Sequence, residues 1–124
     1  MVLVVEDECL LRELAVELIE DAGFATLEAG NAGEAVTLLE ARSNIAVVFT
    51  DINMPGDVDG LELAHMVRDR WPSIRILVTS GRIWLTQPDL PPGTVFLEKP
   101  YRAAAVISQL RSLARPTRDL IGLD

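Results

Sequence analysis

The feature that most restricts the fold is a repeated alternation, in which short unbroken apolar runs are each followed by a segment whose apolar residues recur at helical spacing. Val2 to Val5 has no polar residue among its aliphatic ones, as expected of a strand covered on both faces, and such strands belong to parallel sheets. Leu11, Leu14, Ala15, Leu18, Ile19 and Ala22 then repeat at helical spacing, with Gly23 as the stop. Phe24 to Ala29 reads as a second strand, Asn31 as the cap of a helix carrying Ala35, Val36, Leu38 and Leu39, and Ile45 to Thr50 as a third strand. Leu61, Ala64, Val67 and Trp71 mark a third helix, Ile74 to Thr79 a fourth strand, Val95 to Leu97 a fifth, and Ala103, Ile107, Leu110 and Ala114 a last helix. This order predicts an α/β fold, a doubly wound five-stranded parallel sheet flanked by helices, rather than a sandwich or a bundle. Pro88, Pro91 and Pro92 interrupt the rhythm before the fifth strand, so the helix expected there is short or irregular.

With 124 residues the chain has enough material for one ordinary core. Residues 1–115 read as one domain and 116–124 as a C-terminal tail, because Arg115-Pro116 closes the last helix. A net charge of -8 and a pI of about 4.6 oppose direct binding of nucleic acid. Cys9 is the one cysteine, which excludes an internal disulfide and a cysteine-rich metal site. The first apolar run is cut off at once by Glu6-Asp7-Glu8, too short for a signal peptide or a membrane span, and the expected location is cytoplasmic.

Sites in doubly wound sheets lie at the carboxyl ends of the strands. Glu6 and Asp7 follow the first strand, Asp51 the third, Thr79 and Ser80 end the fourth, and Lys99 follows the fifth. Carboxylates gathered at one sheet edge repel unless a cation lies between them, and magnesium prefers such hard oxygen ligands. A carboxylate such as Asp51 can attack phosphorus in line to give an acyl phosphate, while the metal and the Lys99 ammonium stabilise the equatorial oxygens. Taken singly, an acid after a strand is more commonly a solvated loop residue, and Lys99 a surface residue; the constellation is what reads as a site. Ser80 is the alternative to Thr79 as the hydroxyl of that site.

Val5-Glu6-Asp7-Glu8, Thr50-Asp51-Ile52-Asn53-Met54-Pro55-Gly56, Thr79-Ser80-Gly81 and Glu98-Lys99-Pro100-Tyr101 occur in order, each at the end of a predicted strand. In these motifs the chain resembles the receiver domains of two-component response regulators over nearly its whole length. The resemblance implies the flavodoxin-like receiver fold, with Asp51 as phosphoacceptor for a histidine kinase or histidine phosphotransfer protein. It implies that Asp7 and Asp51 bind Mg2+ together with the Asn53 backbone carbonyl, that Glu6 helps through water, and that Lys99 bridges to the phosphoryl group. It further implies that the Thr79 hydroxyl moves to the phosphoryl oxygen after transfer, that Phe96 is the aromatic switch residue, and that the Lys99-Pro100 bond is cis. The output is then a conformational switch that alters binding of a downstream protein, with a homodimer as a further option and no turnover of an external substrate.

Gly56-Asp57-Val58-Asp59-Gly60 holds an extra residue relative to the commonest pattern of this family. A magnesium-dependent aspartyl phosphohydrolase is the main rival, but the position of its usual second Asp holds Asn53, which cannot give up a proton at neutral pH. A pseudo-receiver that keeps the fold without phosphorylation is a second rival, opposed by the intact acidic pair, Asp51, Thr79 and Lys99. His65 reads as an exposed helical residue, Cys9 as structural, and Trp71 and Trp84 as core caps or contact residues.

Overall fold

The computed structural model describes residues 1–52, 60–80 and 90–114. Five parallel strands, β1 (Val2–Val5), β2 (Thr26–Ala29), β3 (Val47–Asp51), β4 (Arg75–Ser80) and β5 (Val95–Glu98), form one sheet in the order β2-β1-β3-β4-β5. Between and after them run α1 (Cys9–Asp21), α2 (Ala32–Ala41), α3 (Gly60–Arg70) and α4 (Ala103–Ala114). The expected doubly wound sheet is what forms. Asn53, the loop with the extra residue, the segment 81–89 where the irregular helix was expected, Trp84, and the proposed chain end at 115–124 lie outside the described residues.

Alternate strand residues feed two separate cores, because side chains leave a strand on opposite faces in turn. Leu3, Val5, Val48 and Val78 pack with Ala35 and Leu39 of α2 and Leu63 and Val67 of α3. Val2, Val4, Val47, Phe49 and Leu77 pack with Ala15 and Ile19 of α1 and Val106, Leu110 and Leu113 of α4. The helices thus cover both faces, which is why β1 and β3 are buried from end to end. Each fully buried Leu or Ile contributes about 1.5–3 kcal/mol relative to exposure.

Local chemistry sets the helix ends. Asn31 caps α2, its Oδ1 accepting from Glu34 N at 2.8 Å, while Glu34 Oε1 accepts from Gly30 N at 2.7 Å. Helix α1 closes in a Schellman arrangement: Gly23 N donates to Glu20 O at 2.9 Å and Phe24 N to Ile19 O at 3.3 Å, with Gly23 at φ 100°. That closure also shortens β2. Phe24 is still bonded to the helix, so the ladder begins at Thr26, the register partner of Val2, instead of at Phe24.

Three other expectations shift. β3 starts two residues later than its apolar run suggested and ends one later, taking in Asp51 as its last residue, because pairing to β4 continues through Asp51 and Thr79. The core face of α4 is carried by Val106, Leu110 and Leu113, with Ala103 exposed and Ile107 only half-buried. In α1 only Ala15 and Ile19 are buried, whereas Leu10, Leu11 and Leu14 are 61%, 37% and 52% exposed. Among the described residues no helix is long and apolar enough to cross a membrane.

Gly60 opens α3 directly against the end of β3. Its N–H donates to Ile52 O at 3.0 Å, and a Cβ there would press on the Asp51 carbonyl and lie 2.5 Å from Ile52 Cα. Backbone cannot retreat as a side chain can. Gly60→Ala is expected to destabilise the domain by about 3 kcal/mol, at the upper end for overpacking, read as a lower urea midpoint with an unchanged m-value.

Candidate functional site

The strand order reverses direction between β1 and β3, and the carboxyl ends of those two strands bound the crevice where ligands of such sheets bind. Register decides which side chains meet there. Val5 is the partner of Thr50, so the next residues, Glu6 and Asp51, leave adjacent strands side by side. Thr79 is the partner of Asp51 in β4, and Lys99 N donates to Ser80 O at 2.9 Å as the chain leaves β5. Thr79 therefore shares Asp51's side of the pleat and Ser80 points to the other, which resolves the choice between the two hydroxyls in favour of Thr79 as the neighbour of Asp51.

The Lys99 ammonium joins the acids. Its Nζ lies 2.9 Å from Asp51 Oδ2 and 3.3 Å from Glu6 Oε1. The side chains of Glu6 and Asp51 are 10% and 9% exposed and that of Lys99 24%, so these are shielded pairs rather than surface ones. Asp7 is exposed at the rim, and one oxygen from each of Glu6, Asp7 and Asp51 can lie within 4.8 Å of the others. Three carboxylates facing one ammonium leave a surplus of negative charge, and all the donors are hard oxygens. That set fits magnesium, which is commonly held by one or two carboxylates with water completing the shell.

The charges respond to this crowding. Burial pushes the Glu6 carboxyl above its ordinary value, and the Asp51 charge adds to the effect, while the Lys99 charge and the Glu8 N–H, donating to Glu6 Oε2 at 3.3 Å, only partly offset it. For Lys99, burial pulls the ammonium down, but the hydrogen bond and charge of Asp51, with the charge of Glu6, outweigh it and leave the group above its usual value. Burial likewise raises the Tyr101 hydroxyl.

The remaining expected residues divide. Phe96 is half-buried and packs into the core on the α2 and α3 side, the opposite face of the sheet from Lys99. The Lys99-Pro100 peptide bond is cis. His65 is exposed on α3, as read from the sequence. Two contributors were missed. Arg12 donates from Nη1 to the Glu6 carbonyl at 2.9 Å and from Nε to Glu28 at 3.3 Å, tying α1 to the ends of β1 and β2. Tyr101 stands edge-on to Phe49, ring centroids 5.8 Å apart, and walls the site beside Lys99. No spacing in the sequence signals Arg12, because one partner is a backbone carbonyl and the other, Glu28, lies on a different element; Tyr101 lies inside the Glu98-Lys99-Pro100-Tyr101 motif but without a chemical role of its own.

Because Glu6 holds its proton to higher pH when folded, its effect on stability falls as pH rises from about 4.5 through the folded value. Glu6→Gln is therefore expected to raise the urea midpoint of the metal-free protein at pH 7, with the difference from the parent shrinking as pH falls toward 4.5. The same variant is expected to bind magnesium more weakly by isothermal titration calorimetry.

A family model described as the response regulator receiver domain matches residues 2–90. The chain is 31% identical over 109 residues to the response regulator protein FleR of Pseudomonas aeruginosa, an alignment covering 86% of this chain and 23% of FleR. The receiver domain of NtrX from Brucella abortus superposes with a TM-score of 0.83 at 29% identity, covering 92% of this chain and 98% of that one. A receiver domain protein from Clostridium thermocellum, at 22% identity, has the same fold, with a TM-score of 0.86 over 97% of this chain and 98% of that one. The curated relatives are longer, and the chain spans only 9% to 25% of the length of several of them. The sheet order, the acidic cluster and these matches together place the chain in the response regulator receiver domain family.

Proposed function

We propose that this chain is the phosphoacceptor of a two-component relay, in which Asp51 takes a phosphoryl group from a histidine kinase or histidine phosphotransfer protein in a magnesium-dependent reaction. The observation that carries the reading is the Lys99 Nζ bridge, 2.9 Å to Asp51 and 3.3 Å to Glu6, at the rim of a three-carboxylate cluster. In the transfer, an Asp51 oxygen forms the new bond to phosphorus as the bond from phosphorus to the donor imidazole nitrogen breaks, and the electron pair leaves with that nitrogen. Lys99 is within reach of both the attacking carboxylate and the incoming phosphoryl oxygens, where its charge counts most as negative charge spreads. Glu6, Asp7 and Asp51 would hold the Mg2+, with the Asn53 carbonyl as a further ligand, and the ion would supply the positive charge that offsets carboxylates and phosphoryl group.

Thr79, beside Asp51 in the register, is the hydroxyl assigned to the phosphorylated state, and Phe96 the aromatic that responds to it. The resulting change of shape alters contact with a downstream protein. An apolar groove of about 410 Å³, lined by Leu11, Leu14, Leu18 and Tyr101, opens next to Glu6 and Lys99. A phosphodonor protein that reaches Asp51 past this groove meets the exposed Leu11 and Leu14, an apolar flank to pack on. Residues 1–115 are assigned to this domain and 116–124 to a tail, in a cytoplasmic setting where phosphohistidine donors reach it.

Incubation with acetyl phosphate and magnesium is expected to add one phosphoryl group to the parent chain, seen by intact mass, and none to Asp51→Asn. Lys99→Met should slow the reaction by roughly 10²-fold, as removal of one charge-stabilising donor does elsewhere. An adduct that persists in Asp51→Asn, or forms equally well in EDTA, would sink the proposal. Steady phosphate release from a phosphoester without Asp51 modification would point to the hydrolase instead.

A further inference from the structure

The short turn that carries the chain from β1 into α1 holds two of the three clustered acids, Glu6 and Asp7. One peptide unit joins them, and its atoms share a plane. Holding the Glu6 carbonyl oxygen therefore fixes the backbone from which Asp7, the exposed member of the cluster, projects. Glu6 is held on both sides: its N–H donates to Ala29 O at 3.0 Å, and Arg12 Nη1 donates to its carbonyl at 2.9 Å.

Arg12 is itself fixed from several directions. It lies in the first turn of α1, where its backbone N–H donates to Glu8 O at 2.9 Å. Glu28 is the register partner of Val4, which packs on the α1 side of the sheet, and its Oε1 accepts from Arg12 Nε at 3.3 Å. Arg12 Nη2 donates to Cys9 Sγ at 3.5 Å. Gly30 leaves room for the group, since a Cβ there would come within 3.3 Å of Nη1. The Arg12 side chain is 20% exposed, and a planar fork engaged with three groups has little freedom to swing.

The sign of its charge makes this placement informative. A fixed positive charge close to a site for a divalent cation repels the ion, and Glu28 offsets that charge from a half-exposed position. Charge alone thus disfavours an arginine here. Support of metal ligands by the groups bonded behind them acts the other way and strengthens binding.

We propose that Arg12 is a positioning residue of the cation site, which holds the Glu6 carbonyl so that the Asp7 carboxylate faces Glu6 and Asp51 before the ion arrives. The inference rests on the reading of Glu6, Asp7 and Asp51 as the magnesium ligands. Arg12 acts through the backbone and touches neither the ion nor the phosphoryl group.

The test is a magnesium titration of the parent chain, Arg12→Met and Arg12→Lys at constant ionic strength, followed at the Glu6, Asp7 and Asp51 amides by 15N–1H NMR, with the urea midpoint of each. Arg12→Met removes charge and donors together and is expected to weaken magnesium binding roughly 10- to 100-fold. Arg12→Lys keeps the charge but loses the fork, and is expected to weaken it by about tenfold, the low end of that range. An arginine that acted through its charge would give tighter binding in Arg12→Met. One that only stapled α1 to the sheet would give lower urea midpoints with the magnesium affinity of the folded protein unchanged. Either result overturns the proposal. Should Arg12→Met fail to fold, Arg12→Lys decides: weaker binding upholds the positioning role, and parent affinity overturns it. A parent chain that shows no saturable shift at these amides refutes the magnesium reading itself, and the role of Arg12 with it.

Discussion

Five strands that run the same way leave all their carboxyl ends at one edge, and every group of the acidic site hangs from that edge. The pairing of Val5 with Thr50 and of Asp51 with Thr79 determines which side chains become neighbours. A slip of one residue in β3 would turn Asp51 toward the α2 and α3 face and send Val48 out of its core. The packing of the two cores therefore holds the chemistry in place: Val48 and Phe49 are buried on opposite faces, and their burial leaves Asp51 no other orientation.

That arrangement works against itself electrically. Glu6 and Asp51 are brought close and largely removed from water, and burial raises the Glu6 carboxyl even with Lys99 beside it. Lys99 relieves the strain only in part, since one ammonium serves two shielded carboxylates with Asp7 at the rim. A fold optimised for stability alone would not gather these acids. A site that must accept a divalent cation and then a phosphoryl group gains from holding its ligands ready and short of positive charge.

On the flank between α1 and the chain after β5, Leu11 and Leu14 remain outside the core although their spacing matches the helical stripe. Helical periodicity identifies an apolar face; it does not say whether the sheet or another protein covers it.

The sequence by itself determined the element order, the parallel sheet and the acids, threonine and lysine at strand ends, because period-2 and period-3.6 patterns and short apolar runs are local properties of the chain. It also held the cap at Asn31 and the stop at Gly23, whose hydrogen bonds span only a few residues. Tertiary structure alone decided the rest. The start of β2 depended on the closure of α1, the inclusion of Asp51 in β3 depended on pairing with β4, and the choice of Thr79 over Ser80 beside Asp51 depended on register. Arg12 on the Glu6 carbonyl and Phe96 on the far face from Lys99 likewise follow from contacts between residues distant in sequence. Such contacts are set by which surfaces meet when the layers pack, and no local pattern encodes them.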